Sequence, residues 1–362
     1  MTDWHFLVDR SDYRSTKVVE FEPAELDGGE IRVRVDAFGF TANNVTYAAA
    51  GDMIGYWTFF PAPDLDDGVQ WGRVPVWGFA DVVESRSDSV AEGDRLFGYF
   101  PMSTELVMTP TQVTDASLTD GAEHRAALPP VYNRYMRCGA DPGYDPELEA
   151  EQMVYRPLFF TSFLIDDYLD DNELFGASTV VLASASSKTA FGTAHLLNQR
   201  DGITVVGLTS PGNVAFVEGL GCYDHVLTYD DIALLPDGPA ALVDMSGNAS
   251  VVRAVHERYG DGLVHSMIVG LTHWEDRVGS VDPMPGPDQT FFFAPSQIEK
   301  RHGDWGAGVV ESKLAEAWGP FIRKVSDWVS IDHAQGPDAV SDVYVETLEG
   351  NTSPDTAHVL HP

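Results

Sequence analysis

The chain has 362 residues, long enough for two domains that each bury a core of their own. It carries 56 acidic side chains against 22 basic ones, a formal net charge of −34, so nucleic-acid phosphates and anionic membranes are discounted as partners. The same excess suits work in high salt, where screening relieves self-repulsion, and equally suits simple solubility.

Cys138 and Cys222 are the only cysteines. They are too few for a disulfide framework or a four-thiolate zinc site, and they fit a reducing cytosol. The opening MTDWHFLVDRSDYRS has no basic segment followed by an apolar one, and no apolar run approaches the ~20 residues of a membrane span. The expectation is a soluble protein of the cytoplasm.

Residues 1–115 read as β-rich. EIRVRVDAFGF (30–40) alternates with period two, and VPVWGFADVVES (74–85), EGDRLFGYF (92–100) and TELVMT (104–109) follow as further strands. Residues 138–151 form a Pro/Gly/Asp-rich excursion, and 157–176 predicts an amphipathic helix ending at Gly176.

From 179 the rhythm becomes strand, helix, strand. TVVLAS (179–184), ITVVGLTS (203–210), DHVLTY (224–229), AALVDMS (240–246) and LVHSMIVGL (263–271) read as strands. Helices are expected near 188–199, 213–220 and 249–259. Solid apolar runs between short helices are what a parallel sheet covered on both faces requires. QTFFFAP (289–295) reads as a sixth strand, 308–330 as a helix and VSDVYVETLEG (340–350) as a late strand.

The turn after the first of these strands carries Ser184, Ser186, Ser187, Lys188 and Thr189 where nucleotide-binding loops use glycine. A P-loop would need glycines at Leu182 and Ser187, so only the Lys188–Thr189 pair agrees. A dinucleotide turn keeps Gly192 as its packing glycine, with Thr189 and Ala190 in the two places before it. Hydroxyls, Lys188 and the helix N-terminus can then replace glycine amides as anion ligands, or the serines only cap a core helix.

Several stretches, taken together and in order, resemble the medium-chain dehydrogenase/reductase superfamily. EIRVRVDAFGFTANNVTYAAAGD resembles its first core strand and active-site loop. VPVWGFADVVE with VAEGDRLFGYF resembles its glycine-rich strand block, and AALPPVYNRYMRC the helix after its Ala-Pro segment. GLTSPGNVAFVEGLGCYDHVLTYDD resembles its second nucleotide-domain strand and sequel. Within the superfamily the chain is similar to the zinc-independent, quinone-oxidoreductase-like branch and to an uncharacterised, domain-of-unknown-function group.

The resemblance implies an α/β protein. A GroES-like β-rich catalytic domain (1–155, completed by 327–362) would flank a Rossmann doubly wound parallel-sheet domain (156–326). It also implies an NADP(H)-dependent oxidoreductase reducing a quinone, enone or other activated carbonyl, acting on a small molecule, with room for a homodimer. The altered glycine turn supports the alternative, a catalytically silent nucleotide-binding or regulatory protein on a reductase scaffold.

Zinc enzymes of the superfamily place a cysteine in the loop written here TANNVTY and Gly-His-Glu where Trp77-Gly78-Phe79 stands. Neither ligand set is present, so no metal is expected. Asn44 and Tyr47 match the polar active-site region, or else Asn44 caps a helix and Tyr47 packs in its first turn, and Tyr132 sits where the helix lining the cleft begins. Asn133 stands beside Tyr132. Cofactor contacts fall on Ser184, Ser186, Ser187, Lys188, Thr189, Thr209, Ser210 and Asn213, with Ser246, Gly270 and Leu271 from the later loops. No acidic residue stands among Leu208, Thr209 and Ser210, which favours NADP(H) over NAD(H). Lys300 and Arg301 read as a clamp for an anionic substrate or cofactor phosphate, or as a solvated helix end, and His265 as a core histidine.

Overall fold

The computed structural model describes residues 2–49, 51–141, 143–269, 283–306 and 308–362. The chain opens with β1 (Asp3–Asp9) and β2 (Asp12–Phe21), an antiparallel hairpin, and β3 (Ile31–Phe40). Three short helices follow, α1 (Ala42–Ala49), α2 (Gly51–Ile54) and α3 (Tyr56–Phe59). Next come β4 (Trp71–Gly72), β5 (Pro75–Ser85), β6 (Arg95–Pro101), β7 (Glu105–Met108), β8 (Pro110–Thr111), β9 (Ser117–Asp120) and β10 (Arg134–Arg137).

Helix α4 (Glu149–Asp171) leads to β11 (Thr179–Ala183), α5 (Lys188–Leu197), β12 (Thr204–Thr209), α6 (Val214–Gly219) and β13 (His225–Thr228). Then come β14 (Ala240–Asp244), α7 (Ala249–Tyr259), β15 (Leu263–Ile268), β16 (Thr290–Phe291), α8 (Ala294–Trp305) and α9 (Val309–Trp328). The chain closes with β17 (Ser330–Gln335), α10 (Pro337–Leu348) and β18 (Thr356–His361). Internal contacts divide it into two compact units, one of residues up to Val154 together with Ser330–Pro362, the other Tyr155–Val329.

In the first unit the large sheet runs β17-β18-β3-β5-β6-β10-β9-β8, with β7 also paired to β3, and a smaller sheet runs β2-β1-β4. Phe6, Val33, Phe38, Phe40, Val76, Phe100 and Tyr344 share its core. Gly78 faces Gly98 across β5 and β6. A Cβ on Gly98 would lie 2.2 Å from the Tyr135 ring, and one on Gly78 would lie 2.3 Å from the Ala37 carbonyl. These glycines let neighbouring strands close on an aromatic core.

Three readings of the sequence need correction here. Residues 340–350 are not a strand, because Val340, Val343, Tyr344 and Thr347 are buried at helical spacing in α10 and Pro337 stands in its first turn. The helix expected around AALPPVYNRYMRC is a single 3-10 turn, Pro130–Tyr132, followed by β10, which pairs with both β6 and β9. Long-range pairing overrides local propensity there. The helix expected over 157–176 ends at Asp171 and gives way to left-handed residues Glu173, Leu174 and Phe175 with φ of 49°, 52° and 56°. Phe175 then stacks on His265 at 3.8 Å and 6°.

The second unit holds a six-stranded sheet in the order β13-β12-β11-β14-β15-β16, every adjacent pair parallel. Val181, Ala183, Val206, Leu208 and Leu242 are fully buried in it, as strands covered on both faces must be. The chain winds outward from β11 to β13, then returns to start again at β14, so the order reverses between β11 and β14.

His195 and His265 are both buried here and their pKa values are pushed down from 6.5 to about 4 by desolvation, with Lys324 adding to the effect at His195. Between pH 6.5 and 4 the unfolded chain binds protons that the folded one refuses. Stability from these groups is therefore complete above pH 6.5 and is lost as the pH falls, by up to ~1.4 kcal/mol per pH unit for each histidine. Denaturant unfolding at steps from pH 7.5 to 5 should show the decline, with a shallower slope in His265→Gln. A flat wild-type profile would contradict it.

Candidate functional site

In the second unit the chemistry gathers at the carboxyl ends of β11, β12 and β14, beside the reversal of strand order. Crevices at such reversals are where open α/β sheets bind ligands. Ser184 ends β11 with a left-handed φ of 62°, a conformation that glycine adopts without strain. The turn therefore has a glycine-type backbone at Ser184 although it carries a side chain. Ser187 caps α5, its hydroxyl accepting the Ala190 N–H at 3.3 Å. Lys188 and Thr189 form the first turn of that helix, both half-buried.

Asn213 donates to the Ser186 hydroxyl at 3.0 Å, tying the loop after β12 to the turn after β11. Tyr223 donates to the Ala185 carbonyl at 2.9 Å. Gly207 is needed beneath it, since a Cβ there would come within 2.8 Å of Ala185 Cβ and 2.9 Å of the Tyr223 ring. Thr209, at the end of β12, is 1% exposed, and its hydroxyl has no hydrogen-bond partner among the described residues. Ser210 beside it is half-buried. A buried hydroxyl without a partner is costly unless a ligand or water meets it.

Two cofactor assignments change. Gly192 does not serve helix–strand packing, because its missing Cβ would lie 2.6 Å from Ser162 Oγ on α4. It lets two helices meet, with Ser162 donating to the Thr189 carbonyl at 2.8 Å. Ser246 spends its hydroxyl inside its own turn, donating to Asp244 Oδ1 at 2.6 Å and accepting from the Asn248 N–H at 3.1 Å. Gly270 and Leu271 lie outside the described residues.

The clamp expected at Lys300 and Arg301 is corrected by their partners. Arg301 is 7% exposed and donates to Asp167 at 2.7 Å, meets Asp171 at 3.0 Å and Asp304 at 3.2 Å, and lies over the Trp305 ring. Lys300 bridges Asp171 at 2.8 Å and Asp304 at 2.6 Å. Arg301 is buried among carboxylates, and Asp167 and Asp171 fasten α8 to α4 through it, while the half-exposed Lys300 pairs with Asp171 and Asp304.

In the first unit, Asn44 is likewise absorbed by the fold. Its side-chain oxygen accepts from the Thr41 N–H at 2.9 Å while Thr41 Oγ1 accepts from the Asn43 N–H, a reciprocal cap on α1. Its amide donates to the Pro75 carbonyl at 3.0 Å. The catalytic role expected of Asn44 thus gives way to the cap. Asn133 is paired twice with Arg125, at 2.9 Å each way.

Tyr47 and Tyr132 do come together, in an aromatic cluster with Tyr56, Tyr99 and Trp77. Trp77 and Tyr99 are cross-strand partners on β5 and β6, their rings 5.1 Å apart. Tyr47 lies 4.6 Å from Tyr56 and 5.7 Å from Tyr99, and Tyr99 lies 4.8 Å from Tyr132. The Tyr56 and Tyr132 hydroxyls are 3.3 Å apart. Arg125, 1% exposed, donates to the Tyr132 carbonyl at 2.8 Å and so anchors that ring's backbone, while its charge is met by Asp120 at 2.8 Å.

Burial first, and the neighbouring phenols second, push the pKa of Tyr47 far above the ordinary phenol value, and Tyr56, Tyr99 and Tyr132 shift the same way. Trp77 Nε1 and the Tyr99 hydroxyl approach the Tyr47 oxygen closely enough to temper its shift, yet neither makes a hydrogen bond of ordinary geometry. The cluster is a set of neutral donors. Tyr56 lies in a stretch with no motif, and Trp77 and Tyr99 lie in VPVWGF and LFGYF, which read as strands. Only strand pairing brings them together.

Among the described residues, no group of three or more His, Cys, Asp or Glu could hold a metal ion, and no helix is long and apolar enough to cross a membrane.

The two units have the folds of medium-chain dehydrogenase/reductases, a β-rich GroES-like unit and a Rossmann unit. CurA from Vibrio vulnificus is similar in structure over 99% of this chain and 98% of its own, with a TM-score of 0.63 and 14% identity. The quinone oxidoreductase from Coxiella burnetii matches over 100% of both chains with a TM-score of 0.56 and 16% identity. A 2-enoyl thioester reductase heterodimer from Candida tropicalis matches over 100% of both with 0.61 and 11%. No curated protein sequence matches significantly. Residues 38–353 match the family described as "Protein of unknown function (DUF2855)", and the chain belongs to that family.

Arg301→Ala should separate anchoring from ligand binding. Removing one partner of a buried ion pair costs about 3–5 kcal/mol. Denaturant unfolding should show a loss of that order, while nucleotide affinity of the folded variant stays at the wild-type value. Weakened nucleotide binding without loss of stability would restore the clamp.

Proposed function

We propose that the chain is an NADP(H)-dependent, zinc-independent reductase of an activated carbonyl compound such as a quinone or enone. The observation that carries this reading is the reversal of strand order between β11 and β14, with Ser184 held in a glycine-type conformation at its edge. The partnerless Thr209 hydroxyl, Ser210 and the Ser186–Asn213 pair stand where the second strand ends, the region that meets the adenosine ribose in nucleotide folds. Hydroxyls and amides donate to a 2′-phosphate, and a carboxylate there would repel it.

Support also comes from relatives in fold. One CurA structure is a complex with NADPH, and the yhdH oxidoreductase from Salmonella enterica, with a TM-score of 0.54 and 13% identity, is in complex with NADP. When bound, reduced nicotinamide supplies a hydride. The chain's own part is to orient the pyrophosphate through Lys188 and the α5 N-terminus, and to donate hydrogen bonds from neutral phenols to an oxygen gaining negative charge.

One observation favours a second reading. Side chains stand at Ser184, Ser186 and Ser187 where close backbone approach to a pyrophosphate ordinarily requires glycine, which suits a silent scaffold.

Fluorescence titration with NADPH and NADH at one salt concentration decides between them. NADPH should bind more tightly, and Lys188→Ala should weaken it by about 1–3 kcal/mol, the worth of a hydrogen bond to a charged group. Equal or tighter NADH binding would remove the cofactor preference, and binding of neither would establish the scaffold.

A further inference from the structure

A cavity of about 500 Å³ opens in the first unit, within the ~300–1,000 Å³ of small-molecule sites. It is built around the start of β6, the end of β10 and the turn that follows, with Asp115 and Tyr144. Strand pairing fixes its walls, since Arg137 faces Leu96 across β10 and β6. Tyr144 donates to Glu149 at 2.6 Å and its ring lies 6.0 Å from that of Phe79, so that wall is held in place. Gly139 lines the cavity too, and a Cβ there would meet nothing within 4 Å. No packing need accounts for the open space.

The cavity shows both signs of charge. Arg95 is saturated by Asp36, Asp81 and Glu149. Arg137 is not. Its terminal nitrogens donate to Asp94 at 2.7 Å and to the Thr114 carbonyl at 3.0 Å, which leaves its Nε–H unspent among the described residues. Asp94 uses one carboxylate oxygen in that pair. Asp115, next to Thr114 in the chain, makes no side-chain hydrogen bond or ion pair among the described residues.

A lone carboxylate entering the cavity would meet Asp94 and Asp115, and a lone ammonium would meet Arg137, each at the cost of like-charge repulsion. A molecule that carries both charges a few bonds apart finds an opposite charge at each end. Cys138, 5% exposed, and the Tyr144 ring offer the rest of it a less polar surface.

We propose that this cavity binds a free amino acid with an apolar side chain, its ammonium held by Asp115 and Asp94 and its carboxylate by Arg137. The site stands apart from the reductase reading, since none of these residues belongs to the nucleotide crevice or to the tyrosine cluster.

Isothermal calorimetry on the full chain, without nucleotide, should compare L-leucine with 4-methylpentanoate, which lacks only the ammonium, and with 3-methylbutylamine, which lacks only the carboxylate. Leucine should bind at least tenfold more tightly than either. Asp115→Asn removes no hydrogen bond of the fold, and it should weaken leucine about tenfold while near-UV circular dichroism stays at the wild-type spectrum. Gly139→Leu should fill the cavity and abolish binding with the spectrum likewise unchanged. Comparable binding of the acid or of the amine would overturn the proposal by marking a site for one charge only. So would unchanged leucine affinity in either folded variant, or no leucine binding by the wild-type chain.

Discussion

With 56 carboxylates and 22 cations, this chain gathers acids around several of its arginines. Arg95 meets Asp36, Asp81 and Glu149, Arg32 meets Glu84 and Glu105, Arg200 meets Asp166 and Asp170, and Arg301 meets Asp167, Asp171 and Asp304. Each arginine gathers acids that would otherwise repel one another, so it works as a cross-link. Lys188 aside, the candidate sites then rest on uncharged groups. The candidate sites are accordingly built from serine, threonine, asparagine and tyrosine, in both units alike.

The same logic accounts for the turn after β11. A glycine loop binds phosphate through bare amides that the backbone brings close. Here the backbone at Ser184 keeps the left-handed geometry, but hydroxyls stand around it, and Gly207 supplies the close approach one strand away by leaving room for Tyr223 and Ala185. On the proposed reading the glycine function is redistributed. Thr209, whose buried hydroxyl has no hydrogen-bond partner among the described residues, would serve the same proposed arrangement.

The α/β fold class was legible because its signals are local. Apolar runs such as TVVLA and AALVD, each followed by a short helix, leave few alternatives to a parallel sheet. The errors fell where distant residues decide. Residues 340–350 alternate enough to mimic a strand, yet Val340, Val343 and Tyr344 point one helical face at the core. Arg134–Arg137 became a strand because two neighbours offered edges to pair with. Among the site residues, Tyr47 and Tyr132 were visible as polar aromatics in suitable loops. Their partners Tyr56, Tyr99 and Trp77 were not, since no spacing in the sequence joins them. Lys300 and Arg301 drew notice as rare cations, and rarity proved to mean that carboxylates had already claimed them.

Raised phenol pKa values define what the tyrosine cluster can do. A phenol far above its ordinary pKa is a poor proton donor in the sense of full transfer, yet it remains a hydrogen-bond donor at any physiological pH. Four such groups crowded together cannot share a negative charge among themselves, because each would repel the next. They can share one that belongs to a ligand, by pointing several neutral dipoles at a single oxygen. Zinc enzymes of this fold class concentrate that task in one cation. On the proposed reading, with Trp77-Gly78-Phe79 in place of a ligand segment, that task would fall to several weak donors positioned by β5, β6 and the Arg125 anchor.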